Sequence, residues 1–374
     1  MGPSQPARSL WRRARRPLLA LLALGALSPA AGAGCIGGFD PPSLVSSLRV
    51  FAVTASTPYA KRIVDPDTGA MAFEDVTFKM TYYDGYPEPD QGPRPVQIVW
   101  LGGCFNPPGD QYFGCYEQLA EIFAALEGGG APNGDYFQAG IGLDEYTMPL
   151  PPDLISSREP PNVGPYYGLA YVFFAVCAGE IRPVLDEGGR AGAFPLGCFN
   201  PNTGQRLGSE SFVPGYTQIY AFDDDRENQN PELQGLTLDG EPLPEEFDAI
   251  PTVQRCDVTE EDRRVSGCGK EDPFTACTPY EIEAMIDPAI AEIDTESTGQ
   301  DGEHLTEVVW VDYFADQGDF KRGIKLVNDA VEGFNDEREV KWIPPSEPGV
   351  ATLWAVLHDA RGGASVVQRL VRVE

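Results

Sequence analysis

Two histidines in 374 residues, His304 and His358, leave little material for acid–base or metal chemistry. No His-Glu-x-x-His, Gly-x-Ser-x-Gly, Walker loop or Gly-x-Gly-x-x-Gly run occurs, which removes the usual signatures of metalloproteases, serine hydrolases, phosphate loops and dinucleotide sites. Cys-x-x-Cys is missing too, and with it a zinc ribbon or a thioredoxin-type redox pair. Basic residues are scarce, with 27 Lys+Arg against 57 Asp+Glu and a net charge of −30. A field of that sign repels phosphate backbones, so nucleic acid is excluded as a partner. Carboxylates are so abundant that no particular pair stands out for glycoside hydrolysis, and the chain reads as non-catalytic, with a secreted hydrolase as the remote alternative.

Long apolar runs are lacking as well. The ten residues 18–27 carry no charge but are too short to cross a bilayer core of about 30 Å as a helix. They follow the basic cluster Arg12, Arg13, Arg15 and Arg16 and precede small residues up to Gly34, the three-part pattern of an export signal over 1–34. Those 34 residues hold five Arg and no acid, so the remainder has 22 Lys+Arg against 57 Asp+Glu, a net charge of −35.

Gly32-Ala33-Gly34-Cys35 resembles the box of bacterial lipoproteins, in which the Cys is lipidated and becomes the new N-terminus; the family usually has Leu where this chain has Gly32. The resemblance implies lipidation at Cys35, a short tether over 35–42 and a place at the outer membrane or cell surface. One acyl chain binds only marginally, at about 0.8 kcal/mol per CH₂, so stable anchoring takes the several chains such lipoproteins carry. Ala31-Gly32-Ala33 also satisfies ordinary signal cleavage, which would release a soluble periplasmic or secreted chain from Gly34.

Eight cysteines in an exported chain argue for disulfides. Lipidation of Cys35 leaves seven, and therefore one without a partner in the chain. The spacings point to two local closures, Cys104 with Cys115 and Cys177 with Cys198; Cys256, Cys268 and Cys277 lie too close together for spacing to assign, with Cys256 and Cys277 the slightly favoured pair. Each loop of this size is worth roughly 3 kcal/mol.

With 41 Gly, 35 Pro and few helical periods, the chain reads as all-β: two Ig-like β-sandwich domains in tandem, one short helix inserted in the first. The first domain is placed at 43–224. Strands are expected at 43–56, 76–83, 96–101, 136–141, 147–155, 166–178 and 217–222. The stretch 76–83 alternates Val76, Phe78, Met80 and Tyr82 against Thr77, Lys79 and Thr81, and 166–178 is the most apolar run after the signal. Between them, Cys115, Leu119, Ile122, Phe123 and Leu126 share one helical stripe over 112–126. Cys104-Phe105-Asn106-Pro107 recurs as Cys198-Phe199-Asn200-Pro201; the plain reading is one Asn-Pro turn used twice, the other a paired binding rim.

Residues 225–231 form the linker, polar and ending at Pro231, with the boundary drawn near Asp223. It is read as solvated. Asp223, Asp224, Asp225, Asn228 and Asn230 also resemble the calcium linkers of cadherin-like modules, which makes them the candidate metal ligands, although the full linker motif is missing. The second domain, 232–374, carries a Cys-bearing insertion over 241–278 and strands at 233–238, 280–286, 304–315, 340–343, 352–358 and 365–373. Trp310, Tyr313, Gln317-Gly318-Asp319-Phe320, Trp342-Ile343-Pro344-Pro345 and Arg361-Gly362-Gly363 resemble the last strands of bacterial Ig-like or PKD-type domains.

With the export signal and Asn230-Pro231-Glu232-Leu233, the chain also resembles myxobacterial surface lipoproteins. These resemblances imply a non-catalytic, lipid-anchored envelope protein that presents its sandwiches to another protein or a glycan. No cofactor other than calcium is implied. Carbohydrate binding is the more specific alternative, motivated by Tyr82, Tyr83 and Tyr86 and by Tyr166 and Tyr167, whose rings could stack on sugars.

Overall fold

The computed structural model describes residues 41–64, 66–86, 93–127, 133–184, 194–224, 226–264, 275, 277–299 and 302–374. The export signal, Cys35, most of the tether, Asp225 and Cys268 lie outside the described residues.

Alternating apolar side chains need a second layer to bury against, and in the first half they find it in a sandwich. One sheet holds β1 (Leu48–Ala55), β2 (Val76–Asp84) and β5 (Glu145–Met148) in the order β1-β2-β5. The other holds β3 (Gln97–Phe105), β4 (Phe137–Ile141), β6 (Tyr167–Cys177) and β7 (Phe212–Phe222) in the order β7-β6-β3-β4. Val76, Phe78 and Met80 of β2 meet Ile98 and Trp100 of β3 and Ala170, Val172 and Phe174 of β6 in one core. The alternation in β2 thus reports one buried face and one wetter one.

The second half repeats the plan. Strands β8 (Gly235–Leu238), β9 (Tyr280–Met285) and β12 (Val340–Ile343) form one sheet, and β10 (Val309–Ala315), β11 (Ile324–Asp329), β13 (Gly349–Asp359) and β14 (Ala364–Val373) the other, ordered β14-β13-β10-β11. Short edge strands widen both: Glu241–Pro242 and Asp319–Lys321 flank the first, Thr252–Val253 and Gly333–Phe334 the second. Trp342, Tyr313, Ile282 and Leu353 sit in the core between them. In both halves a three-strand layer of first, second and fifth strand faces a layer led by the last two, which is the Ig-like arrangement. The protein is all-β with two Ig-like sandwiches.

Two strands break the alternation, β6 and β13, each buried on both faces over nearly its whole length. Outside β6 lies the helix α1 (Tyr116–Glu127), whose Leu119 and Phe123 cover Leu169, Tyr171 and Phe173. The helix begins with a tighter turn over Tyr112–Cys115, so the expected stripe from residue 112 is α-helical only from Tyr116. A Cys104–Cys115 disulfide fastens this insertion, and Cys177–Cys198 fastens the hairpin Glu180–Pro183/Leu196–Phe199 beside it. The third disulfide joins Cys256 and Cys277 across the second insertion, whose helix α2 (Glu260–Arg264) sends Arg263 into a 2.9 Å ion pair with buried Asp319. Three disulfides mark a chain that matures in an oxidising compartment.

Several expected elements are corrected. The stretch 43–56 is not one strand: Val45 N–H donates to the Ala315 carbonyl (2.8 Å) and Ala315 N–H to the Ser43 carbonyl (2.9 Å), so 43–45 pairs with the second sandwich before β1 starts. Residues 147–155 stop being a strand at Met148, because Pro149, Pro151 and Pro152 turn the chain. The strand expected at 217–222 starts five residues earlier. Pro214 is tolerated because β7 is an edge, and Gly215 because the Phe174 ring fills the space a Cβ would need. The single strand expected over 304–315 is two: His304–Thr306 pairs with Ile293–Thr298, then buried Glu307 interrupts to receive Arg361, and β10 begins at Val309.

Candidate functional site: the junction and the aromatic face

The linker read as solvated is packed. Asn228 is 3% exposed and donates to Asp359 Oδ2 at 3.2 Å, and Pro231 is buried. Asn230 bridges the two sandwiches: its Nδ2 donates to the Ala55 carbonyl at the end of β1 (2.7 Å), and its Oδ1 accepts from Ala364 N–H at the start of β14 (3.1 Å). Asp224 takes up Arg226 (2.6 Å) and Asp223 takes up Arg62 (3.3 Å). The four described linker candidates are therefore dispersed among separate partners, and Asp225 lies outside the described residues. Among the described residues no three His, Cys, Asp or Glu side chains gather as a metal cluster does.

Beside this staple the outer face of β13 meets the face of β1. Phe51 stacks on Trp354 at 4.8 Å between ring centroids, Tyr83 packs on the same indole at 4.8 Å, and Val45, Ala52 and Val356 fill the seam. Asp316 is half-buried at its edge. Thr352 donates to it through backbone N–H and hydroxyl (both 2.8 Å), and the Tyr83 hydroxyl donates at 3.3 Å. Burial raises the Asp316 pKa above the ordinary carboxylate value, and burial beside that carboxylate pushes Tyr83 up to about 12.

A cleft of about 340 Å³ opens along one side of the seam, lined by Phe51, Phe174, Tyr216, Thr217, His358 and Gly363 among others. His358 stacks on Trp310 (5.1 Å) and reaches Asp312 at 3.4 Å, so it is held by its own sheet; His304 is exposed. Junction clefts of this size are where small ligands commonly sit.

Tyr216 belongs both to the cleft and to the outer face of β7. There Tyr216, Gln218, Tyr220 and Phe222 alternate along one side, opposite Phe173, Tyr171, Leu169 and Tyr167 of β6. Tyr112, from the turn before α1, stacks on Tyr216 at 4.6 Å and 19° between planes. At the far end Tyr59 packs edge-on against Phe222 at 4.8 Å. Exposed area concentrates at one end, with Tyr112 at 37%, Tyr216 at 45% and Phe113 at 54%.

Two charged pairs border these rings, Asp110–Arg158 beside Tyr167 and Asp224–Arg226 beside Phe222. Asp110, held at φ +53° after Gly109, makes a two-point ion pair with Arg158 (2.9 and 3.0 Å) and accepts the Tyr167 hydroxyl at 2.7 Å. Burial opposes ionisation of Asp110, yet the hydrogen bonds from Arg158 and Tyr167 outweigh it and lower its pKa. Burial raises Tyr171 to about 12 and raises Tyr116 and Tyr220, so these phenols stay neutral.

The tyrosines singled out for sugar stacking do not form one platform. Tyr83 is spent in the seam, Tyr86 lies under the Arg94 guanidinium (4.5 Å), and the Tyr166 hydroxyl donates to the Arg158 carbonyl. Of that set only Tyr167 belongs to the aromatic face. The face was signalled by a period of two at 216, 220 and 222, hidden because β7 was read only from residue 217. The repeated Cys-Phe-Asn-Pro makes no paired rim: Asn200 closes its own turn through the N–H groups of Asn202 and Thr203, while Asn106, at φ +46°, ties Leu154 and Ser157 to Leu169.

No family model and no curated protein matches the chain. It is similar to the D0–D1 domain of intimin (10% identity, 87% of this chain and 98% of that one, TM-score 0.19). It is similar also to the fibronectin(III)-like modules of Clostridium thermocellum CbhA (11%, 86% and 93%, 0.18). A third likeness is to the C-terminal domain of the Streptococcus pyogenes antigen I/II-family protein AspA (10%, 85% and 100%, 0.18). All three TM-scores lie below 0.5, and the architecture rests on this chain's own strand order.

Proposed function

We propose that the chain is an exported, non-catalytic binding protein, lipid-anchored at Cys35 on the outer membrane or cell surface, whose sandwiches act as one rigid unit presenting a recognition face. The seam is the observation that carries this. A Phe51–Trp354 stack, the pairing of 43–45 with Ala315 and the Asn230 bridge fix one sandwich on the other from three directions. Interfaces between freely moving domains are looser and more polar.

A display role also accounts for the chemistry. His358 is committed to Trp310 and Asp312, and two ion pairs on buried carboxylates, Arg361 with Glu307 and Arg263 with Asp319, are spent on structure. Pro41 and Pro42 line a cleft with Tyr313, Phe314 and Phe320 of the second sandwich. No helix among the described residues is long and apolar enough to cross a membrane.

Mass spectrometry of the N-terminal peptide from fractionated envelope tests the anchor. An acylated Cys35 supports it, whereas an unmodified N-terminus at Gly34 refutes it. Calcium at the linker is tested separately: a thermal midpoint that falls in chelator would support it, and an unchanged midpoint would remove it.

A further inference from the structure

We infer that the outer face of the edge strand β7, from the Tyr112–Tyr216 stack to Tyr59, is a binding site for a neutral oligosaccharide chain, with the junction cleft as its open end. The inference deepens the binding role proposed above and rests on it.

Three observations converge. The first is shape: a β-strand advances about 3.4 Å per residue, so Tyr216 and Tyr220 stand roughly 14 Å apart on one face, an elongated platform rather than a round patch. Tyr112 and Phe113 rise from the turn before α1 as a wall along it, and Tyr216 carries the platform over the strand edge into the 340 Å³ cleft.

The second is chemistry. A pyranose ring offers C–H faces to an aromatic π-cloud and hydroxyls around its rim. The negative face of an aromatic ring attracts such C–H groups, and the phenol edge supplies a hydrogen-bonding handle. Here the rings are Tyr and Phe, and the polar groups among them are the neutral Gln218 amide and the phenols, with two ion pairs at the borders, Asp110–Arg158 and Asp224–Arg226.

The third is charge. The chain carries −30 overall; Asp110 and Arg158 neutralise each other at one border, and at the Tyr59 end the Arg226 guanidinium over the Phe222 ring is paired with Asp224 and Arg62 with Asp223, so the cations on this face are offset rather than gathered for a polyanion. A protein partner is less well matched. Protein hot spots centre on a desolvated pocket, while here the most exposed rings stand at a rim.

The test is calorimetric titration of the purified full chain with three neutral hexaoses, β-1,4-linked glucose, β-1,4-linked N-acetylglucosamine and α-1,4-linked glucose, beside hexagalacturonate as the anionic control. At least one neutral hexaose should bind with a Kd below about 1 mM, tighter than the anionic control. Tyr216→Ala and Tyr112→Ala should each weaken it tenfold or more with thermal midpoints unchanged, and Tyr86→Ala should leave it unaltered. Silence from all three neutral sugars, equal or tighter binding of the anionic one, or affinity indifferent to Tyr216 and Tyr112 would overturn the site. So would capture of a protein through Tyr216 with every sugar silent. The anchor is read independently at Cys35, so an acylated chain without sugar binding sinks this inference and leaves the display role standing.

Discussion

Strands β6 and β13 occupy the same position in their sandwiches, are both eleven residues long, and are both buried on two faces, yet different things cover them. The outer face of β6 is sealed by its own insertion, α1 and the neighbouring hairpin, fastened by Cys104–Cys115 and Cys177–Cys198. The outer face of β13 is sealed by the other sandwich, through Phe51, Ala52 and Val45. One cover is local and covalently tied; the other is distant and held by packing. A doubly apolar strand reports that it is covered without reporting by what, and here the second kind of cover makes two sandwiches one body.

Removing the distant cover should have the largest effect. Trp354 is 1% exposed and touches both Phe51 and Tyr83, so Trp354→Ala leaves a cavity inside the seam and should cost about 3–5 kcal/mol. Urea unfolding should then split from one transition into two as the sandwiches uncouple. A single transition with the original midpoint would mean that β13 is not what joins them.

Opening the local cover should cost somewhat less and stay local. Cys104→Ser with Cys115→Ser releases an 11-residue closure worth about 3 kcal/mol, and the first sandwich alone should lose stability. Denaturation followed by tryptophan emission can tell the halves apart, because Trp100 lies in the first core and Trp342 in the second. Equal destabilisation of both halves would erase the contrast between the two strands.

Between these covers sits Asn230, which reaches both sandwiches with one side chain. Asn230→Ala removes both bonds and leaves the Ala55 carbonyl and the Ala364 N–H without that partner, a loss of about 1–3 kcal/mol read as a shift in the urea midpoint. Asn230→Asp should recover the bond from Ala364 N–H but not the one to Ala55. A variant as stable as the parent would show that the linker is a passive connection.

How legible this was follows the same division. The Val76, Phe78, Met80 alternation announces a half-buried strand because that face has one core to meet, and two disulfide pairs could be read from spacing because their closures span 11 and 21 residues, whereas spacing alone left the partner of Cys256 open until the fold joined it to Cys277. The pairing of 43–45 with Ala315 could not, since nothing in a short apolar segment tells which distant strand end it will join. Asn228 and Asn230 look like any polar linker; their burial depends on Asp359, Ala364 and Ala55, which come from the ends of strands far along the chain. The aromatic face lay between these extremes. Its period of two is present in β7, but Pro214 and Gly215 masked the first half of the strand.

The smallest effect is a dependence on pH confined to the distant cover. Burial raises the Asp316 pKa in the folded protein above that of the unfolded chain, so the folded state favours the protonated acid. The stability from this group is complete below the unfolded value, about 3.9, and is lost as pH climbs through the raised folded value. Buried Glu307 shifts in the same direction, so the wild-type curve alone does not isolate the seam. Asp316→Asn does: the amide does not titrate, and the difference between parent and variant should shrink steadily as pH rises from about 4, tending to favour the variant near neutrality. No comparable trend should follow from substitutions under α1, where Cys104, Leu119 and Phe123 bring no buried acid. A difference that grows with pH would show that Asp316 is stabilised as the anion by Thr352 and Tyr83, and the seam would then be held by a charge rather than in spite of one.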